Sequence, residues 1–253
     1  MMALASPFVL LYRPGLGPLL GAAAGIWIFA SRLLFERLNQ RRRVCGATAQ
    51  EHFDCDVLGL EWNGALVERL SDEEVHRAGV GFEKADATEK HSNWYPAKVD
   101  MAWPASVLTC QRSNAVWARR LHQAYANFLL VAAGGWFVFG VILSLVHKAS
   151  LADYLTTVLL PSLPAVLDST DLAQQHRAAA GRRRNIERLI NRLLEGEGVT
   201  REDLRDVQDQ IFELRRDEPP VAGWFYEFLK GRFEQDMRFA AEQRAGEQES
   251  GDA

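Results

Sequence analysis

Two groups of side chains contain the residue types that chemistry at a protein site requires. His52, Asp54 and Cys55 lie within four residues of one another and could bind a metal ion or form a nucleophile site. Cys110 and His122 could form a second Cys/His pair. Metal binding needs a further convergent donor and a thiol nucleophile needs a positioned base, and the spacing indicates neither. We therefore expect these residues to take part in packing or hydrogen bonding. We also expect that the protein has no catalytic residue and binds no metal or other cofactor.

Motifs for enzyme or phosphate chemistry are also absent from the sequence. It contains no GxxxxGK[ST], no GxGxxG, no GxSxG and no HExxH. Its three cysteines, Cys45, Cys55 and Cys110, form no CxxC pair, which fits a reducing compartment and predicts neither a disulfide framework nor a zinc site. We predict that the protein is not an enzyme.

Charge is unevenly distributed along the 253 residues. Pro14–Ser31, Tyr125–Val146 and Tyr154–Leu167 contain no Asp, Glu, Lys or Arg, which argues against a fully soluble globule. Residues 1–43 have a net charge of +5, whereas residues 168–253 have a net charge of −5. Because no region carries a large basic excess, DNA or RNA is not expected as a partner.

These charge-free segments predict an all-α membrane protein with up to four transmembrane helices in two hairpins. The 22 residues of Tyr125–Val146 are enough to cross a hydrocarbon core of about 30 Å. Gly17–Phe35 is a second predicted span. Pro161 and Pro164 interrupt the last apolar segment, so a full span that begins near Ala149 and a kinked or half-inserted helix are both open.

The beginning of the chain predicts an incomplete first span. Ala3–Leu11 is apolar but only about half a bilayer long before Arg13-Pro14-Gly15 interrupts it. A signal peptide is the alternative, but no basic residue precedes the apolar segment. We interpret Ala3–Leu11 as the end of a first helix whose beginning lies upstream.

Basic residues beside the spans predict the orientation of the chain in the membrane. They are Arg37, Arg41, Arg42, Arg43, Arg119, Arg120, Arg177, Arg182, Arg183 and Arg184. Under the positive-inside rule these residues are cytoplasmic. The predicted organisation is then an N-terminal transmembrane hairpin (1–35), a cytoplasmic middle region (36–124), a second hairpin (125–168), cytoplasmic C-terminal helices (169–241) and a disordered tail (242–253).

Local signals predict several helices outside the membrane. Pro104 is suited to the first turn of a helix that continues into the Tyr125–Val146 span. Thr200 and Asp203 resemble a capping box, and an apolar stripe follows until Pro219-Pro220 ends the helix. A second apolar stripe begins at Trp224, and the two stripes are expected to pack on each other or on the middle region. A subunit interface or a membrane-surface contact is the alternative. Residues 44–103 show no sustained period and predict short helices and loops.

Within the predicted spans, small and hydroxyl residues are the notable features. Gly17, Gly21 and Gly25 form overlapping GxxxG steps that favour helix association in a bundle or homo-oligomer. There is no obvious intramembrane Asp, Glu or His relay. A pore could be lined by hydroxyl side chains or could open only after assembly. The hydroxyl candidates are Ser144, Thr156, Thr157 and Ser162.

Five sequence motifs in this order resemble a known family. They are AQEHFD (49–54) with LGLEWN (58–63), NWYP (93–96), CQRSN (110–114) with Trp117, VQDQIFELRR (207–216), and WFY (224–226). The set resembles the SMODS-associated four-transmembrane family of CBASS-type anti-phage systems over residues 15–241. Motif residues to which the resemblance gives no role are Gln50, Phe53, Asp54, Trp62, Asn63, Trp94, Tyr95, Trp117, Gln208, Trp224 and Tyr226.

The resemblance implies a pore-forming effector that a cyclic oligonucleotide triggers and that disrupts the inner membrane, causing abortive infection. Gln111, Arg112 and Asn114, with Arg215 and Arg216, are our candidates for reading or relaying the signal, since arginine and amide groups suit phosphates and base edges. The alternative is that they form buried polar contacts between the middle and C-terminal regions.

Two other functions stay open at this point. One is a membrane-tethered scaffold that recruits partners through its C-terminal helices and forms no pore. The other is a membrane enzyme that uses Cys55 or Cys110.

Overall fold

Every regular element in the described part of the chain is a helix, which confirms the all-α prediction for those residues. The computed structural model describes residues 22, 26, 29–30, 36–84, 95, 102–148 and 150–231. Several predictions therefore lie outside the described residues. They concern the Ala3–Leu11 segment, most of the Gly17–Phe35 span, the glycines Gly17, Gly21 and Gly25, Trp94 and the tail at 242–253.

The helices are numbered here in chain order. They are α1 (Glu36–Leu58), α2 (Asp72–Lys84), α3 (Ala105–Val146), α4 (Leu151–Tyr154), α5 (Leu160–Glu195), α6 (Arg201–Asp217) and α7 (residues 223–231), and a π-helical turn at Leu155–Leu159 joins α4 to α5. Contacts within the chain define two compact units. Unit 1 comprises Met1–Arg41 and His122–Ala178, and unit 2 comprises Arg42–Leu121 and Ala179–Ala253.

Helix α3 confirms the predicted long helix that begins after Pro104 and contains the apolar segment. It has 42 residues and is about 63 Å long at 1.5 Å per residue. Its most apolar 18-residue window has a mean hydropathy of 2.4, and only 11% of that window is buried. An apolar helix in the core of a soluble protein would be mostly covered, so this exposure favours a membrane span.

Within the described residues, α3 is the one helix that is long and apolar enough to cross a membrane. The other three predicted spans are therefore not confirmed. In the last of them, Pro161 and Pro164 do not break the helix, because the chain is helical from Leu151 to Glu195. Each proline lacks an amide hydrogen, and its ring crowds the preceding turn of the helix. The π-helical turn at Leu155–Leu159 ends two residues before Pro161 and makes the helix wider there.

One close helix contact in unit 1 depends on a glycine. A Cβ atom placed on Gly140 of α3 would lie 2.8 Å from Cγ1 of Val158 and 3.6 Å from Cε2 of Tyr154. Val158 is buried and β-branched, so its side chain has little rotamer freedom in a helix. The π-helical turn can therefore approach α3 this closely only because residue 140 has no side chain.

Helix α1 is longer than the sequence predicted. Residues 44–103 were expected to form short helices and loops, yet α1 is a single helix of 23 residues. The buried face of α1 carries Thr48, Glu51 and Asp54 beside Ala47 and Cys55. Because polar residues occupy the face that usually carries apolar ones, the helical period was hidden from a hydrophobicity pattern.

Helix α6 agrees with the sequence signals at both ends. The Thr200 hydroxyl accepts from the Asp203 amide and the Asp203 carboxylate accepts from the Thr200 amide, which confirms the capping box. The helix ends at Asp217, before Pro219-Pro220. Its apolar stripe belongs to the core of unit 2, whose most buried members are Leu108, Ile190, Leu204, Val207 and Ile211.

We predict that Gly140→Ala lowers the stability of unit 1. The added methyl group overlaps Val158, and overpacking of this kind typically costs about 1 to 3 kcal/mol. Thermal unfolding of the detergent-solubilised protein measures the effect as a lower Tm. Gly135→Ala is the matched control because a Cβ atom there meets nothing within 4 Å. Equal Tm values for the two variants would contradict the contact.

Candidate functional site

The polar centre of unit 2 is the carboxylate of Asp54, which is 2% exposed. Its Oδ2 atom accepts from Nε2 of Gln208 at 2.9 Å and pairs with the Arg215 guanidinium at 2.7 Å. Its Oδ1 atom accepts from the Tyr95 hydroxyl. Three segments that are far apart in sequence therefore converge on a single buried charge.

Gln208 extends this centre in two directions. Its amide nitrogen also donates to Oε2 of Glu51 at 2.9 Å, and its Oε1 accepts from Nε2 of Gln111 at 3.2 Å. Gln111 donates in addition to the Leu204 carbonyl at 2.9 Å. The Oε1 atom of Gln111 is buried and has no hydrogen-bond partner among the described residues. Gln111 itself is completely buried.

Further side chains complete the cluster. The Arg205 guanidinium pairs with Glu51 and, at 2.7 Å, with Asp209. The Tyr95 hydroxyl accepts from Nδ2 of Asn114 at 2.8 Å. We call this set the Asp54 network. It comprises Glu51, Asp54, Tyr95, Gln111, Asn114, Arg205, Gln208, Asp209 and Arg215.

The surroundings of Tyr95, and of the nearby thiols of Cys55 and Cys110, hold these three groups protonated. Burial and the Asp54 charge raise the pKa of Tyr95 well above its ordinary value, so its hydroxyl remains a donor. Burial and then the Glu51 charge raise the pKa of Cys55 to about 11. Burial, with a smaller effect of Asp54, raises the pKa of Cys110 to about 11. A nucleophilic cysteine needs the opposite shift, so neither thiol is activated.

A second set of ion pairs ties α3 to α5 within unit 2. Arg112 donates from Nε to Oδ1 of Asn191 at 2.7 Å and from its terminal nitrogen to Oε1 of Glu187 at 3.1 Å. The other oxygen of Glu187 accepts from Nε of Arg119 at 2.9 Å. The side chains of Arg112 and Glu187 are 12% and 15% exposed. One carboxylate thus links two arginines that lie about two turns apart on α3.

Arg183 of α5 forms the most buried ion pair described in unit 2. Its guanidinium reaches Oε2 of Glu218 at 2.8 Å, and the two side chains are 4% and 3% exposed. Burial lowers the pKa of Arg183, and the Glu218 charge opposes that effect. Glu218 lies directly after the last residue of α6, so this pair fixes the end of that helix against α5.

Six of the residues singled out from the sequence meet in the Asp54 network. They are Asp54, Tyr95, Gln111, Asn114, Gln208 and Arg215. Arg112 belongs to the second set of ion pairs instead. Arg216 pairs with its neighbour Asp217 and lies over the Phe212 ring. All these contacts are intramolecular, and direct ligand contact by Arg112, Arg215 or Arg216 remains a prediction.

The other motif residues are distributed around unit 2. Trp117 packs on Tyr226, with ring centroids 6.1 Å apart. Phe53 stacks on Tyr95, and Asn63 donates to Asp209 at 2.7 Å.

Three further positions lie apart from these contacts. Trp62 donates to the Val67 carbonyl at 3.1 Å. Gln50 is exposed, and Trp224 is 61% exposed and contacts Phe225 edge to face.

The residues first considered for metal binding or nucleophilic chemistry include His52, Cys55 and His122, and they have other contacts. His52 packs edge to face on Trp62, and Cys55 lies among Glu51 and Arg205. In unit 1, Nδ1 of His122 is 2.7 Å from Nδ1 of His176. No group of three or more His, Cys, Asp or Glu side chains that could hold a metal ion occurs among the described residues.

Two of the four hydroxyl groups proposed as pore lining bond to their own helices. Ser162 donates to the Val158 carbonyl at 2.7 Å, and Thr156 donates to the Ala152 carbonyl at 2.8 Å. Such bonds are the usual fate of hydroxyls in a helix and leave a lining role as a prediction.

Sequence reasoning missed several residues of these clusters. The residues that were not among the candidates are Glu51, Arg205 and Asp209 of the network, and Glu187 and Asn191 of the second set. One signal was available for Glu51, which lies three residues before Asp54 and hence on the same helix face. For Arg205 the local signal was its i,i+4 spacing to Asp209, whereas its pair with Glu51 joins distant segments.

The fold and the site together define a class of protein. Its described residues form helices, one of them exposed and apolar, and a buried polar network in which the carboxylates are engaged by arginine and amide donors. The family description "SMODS-associating 4TM effector domain" matches residues 1–244, and the chain therefore belongs to this family.

A curated protein from Bacillus cereus (strain VD146), described as a probable CBASS effector molecule, is 27% identical over 143 residues. The match covers 56% of this chain and 48% of the relative, so the chain spans about half the length of that protein. No solved structure matches this chain.

We predict that Asp54→Ala strongly destabilises unit 2. Removing one partner of a buried pair leaves Arg215 uncompensated and typically costs about 3 to 5 kcal/mol. Thermal or urea unfolding of the purified protein measures the loss. Asp56→Ala is the matched control on the same helix, because its side chain is 62% exposed and its pair with Arg69 is a surface one. A loss no larger than that of the control would refute the network's structural role.

The thiols should differ in reactivity. Cys45 is exposed, and Cys55 and Cys110 are buried. A pKa of about 11 instead of 9.0 leaves about one hundredth of the thiolate at neutral pH. Because Cys55 and Cys110 are buried and have this small thiolate fraction, iodoacetamide should modify the exposed Cys45 much faster than either of them in the native protein, with rates converging in denaturant. Mass spectrometry of the tryptic peptides follows each site, and fast native modification of Cys55 would contradict this placement.

Proposed function

We propose that this protein is a membrane effector of CBASS-type anti-phage defence that permeabilises the bacterial inner membrane when a cyclic-oligonucleotide signal arrives. Family membership over residues 1–244 and the similarity to a probable CBASS effector molecule support the effector role. The proposal goes further in two respects: the effector permeabilises the membrane, and a cyclic oligonucleotide triggers it.

The observation that carries the proposal is the composition of α3. The N-terminal part of this helix holds Gln111, Arg112 and Asn114 in polar contacts of unit 2. Its C-terminal part is the exposed apolar window. Because the 42 residues form one uninterrupted helix, a change in the polar contacts at one end acts on a segment suited to lipid at the other.

Apolar side chains on the described part of unit 1 support a lipid environment. Val131, Leu145, Val146 and Leu151 are between 72% and 74% exposed. Exposed apolar surface of this extent is costly in water and favourable in hydrocarbon. The same surface would also allow association with further copies of the chain, and we propose a homo-oligomer as the permeabilising form.

Ligand control requires two arrangements of the polar contacts. A signal can shift the equilibrium toward an open state only if it binds that state more tightly, and a shift from 1% to 99% open needs about a 10,000-fold difference in affinity. The ion pairs of Arg112 with Glu187 and of Arg215 with Asp54 are suitable elements, since each joins separate helices through a charged contact that can break and re-form. We propose that the soluble part faces the cytoplasm, where such a signal would be present.

A membrane-tethered scaffold is the second candidate function. Trp224 and Phe228 on α7 are 61% and 79% exposed and lie one helical turn apart. An exposed aromatic pair of this kind is typical of a partner-binding surface. This function predicts that no trigger causes ion or dye leakage.

We expect dye release from liposomes that contain the protein to depend on one or more cyclic di- or trinucleotides. Arg112→Ala and Arg215→Ala should abolish this release because each removes a guanidinium that, in this proposal, reads or relays the signal. Arg69→Ala, at an exposed surface pair, is the control and should release dye normally. Flotation of the liposomes verifies insertion of every variant. Absence of release with any nucleotide from inserted protein would favour the scaffold, and unchanged release in both test variants would refute the gating role.

A further inference from the structure

One face of α5 forms a polar cleft of about 560 Å³ in unit 2. It is lined by Asn185, Arg188, Asn191, Arg192 and Glu195. The cleft is open to solvent, since the lining residues all lie on one helix and Arg188, Arg192 and Glu195 are exposed. The described lining residues are all polar or charged, so the cleft suits a polar ligand.

The side chains in the cleft match particular chemical groups. Arg188 and Arg192 are one helical turn apart and present two guanidinium groups, which bind phosphate oxygens through paired N–H donors. Asn185 and Asn191 each offer an amide nitrogen that can donate to the acceptor atoms on the edge of a nucleobase. Glu195 only accepts when ionised, so it favours a ligand that also carries a hydroxyl or amino donor.

Existing contacts hold part of this set in position. Arg188 donates to Oδ1 of Asn185 at 2.6 Å, which orients its guanidinium on the cleft face. Asn191 accepts from Nε of Arg112 at 2.7 Å. Arg112 also pairs with Glu187, whose other oxygen binds Arg119. A ligand that engages the Asn191 amide therefore acts on the contacts that tie α3 to α5.

We propose that this cleft binds the phosphodiester-bearing signal, with phosphates on Arg188 and Arg192 and base edges on Asn185 and Asn191. This inference rests on the proposed function for the identity of the signal as a cyclic oligonucleotide. The cleft itself is defined by its lining residues and does not depend on the proposed function. Anionic lipid headgroups share the phosphodiester chemistry, and the experiment separates the two sources.

The test measures binding of a panel of cyclic di- and trinucleotides to the full chain in phosphatidylcholine nanodiscs by calorimetry. The double variant Arg188→Ala with Arg192→Ala is compared with Arg182→Ala, which removes an exposed arginine on another face of α5. Circular dichroism and Tm verify that all variants are folded. We expect the double variant to bind at least about 100-fold more weakly, tenfold for each lost charged contact, and the control to bind within threefold of wild type.

Wild-type affinity in the folded double variant would overturn the proposal. Binding of no nucleotide, together with retention on phosphatidylglycerol vesicles that depends on Arg188 and Arg192, would also overturn it and assign the cleft to lipid headgroups.

The liposome assay distinguishes this failure from failure of the proposed function. If a nucleotide releases dye equally from wild type and the double variant, the cleft assignment is wrong and the gated effector stands. If the double variant loses nucleotide binding but the bound wild-type protein releases no dye, the cleft assignment stands and permeabilisation is wrong.

Discussion

The buried carboxylate of Asp54 is the constraint on which unit 2 depends. Removing a charge from water costs several kcal/mol after relaxation, and the cost is offset only by well-placed partners. Here the partners are Arg215, Gln208 and Tyr95, which come from α6 and from the segment between α2 and α3. The charge can therefore be buried only when these segments are correctly assembled. The network thus favours this one packing of the segments over other compact packings.

This constraint also explains why the centre is suited to switching. A hydrophobic contact changes gradually in energy with small displacements, whereas a buried charge without its partner is strongly unfavourable. Such a network favours discrete arrangements over intermediate ones. The completely buried Gln111 couples α3 to this behaviour through Gln208, and its Oε1 atom is an acceptor still unmatched among the described residues. That unmatched acceptor is where an alternative arrangement could gain a hydrogen bond.

The sequence predicted the elements whose signals are local. The Thr200–Asp203 capping box, the stripe of α6 and the long helix after Pro104 were all found in this way. Helix α1 was missed because Glu51 and Asp54 occupy its buried face. The quoted motifs contained every residue of the network except Arg205. Their convergence depends on tertiary contacts, which for Asp54 and Gln208 join residues more than 150 positions apart and which no local pattern encodes.

The central claim is that a ligand-dependent change in the soluble helices makes the membrane conductive. Current through a planar bilayer that contains the purified protein tests it most directly, with a cyclic oligonucleotide added first to one side and then to the other. The account predicts negligible current before addition and stepwise conductance when the nucleotide reaches the side that carries the soluble helices. Equal current with and without nucleotide, or none with inserted protein and every nucleotide of the panel, would contradict it.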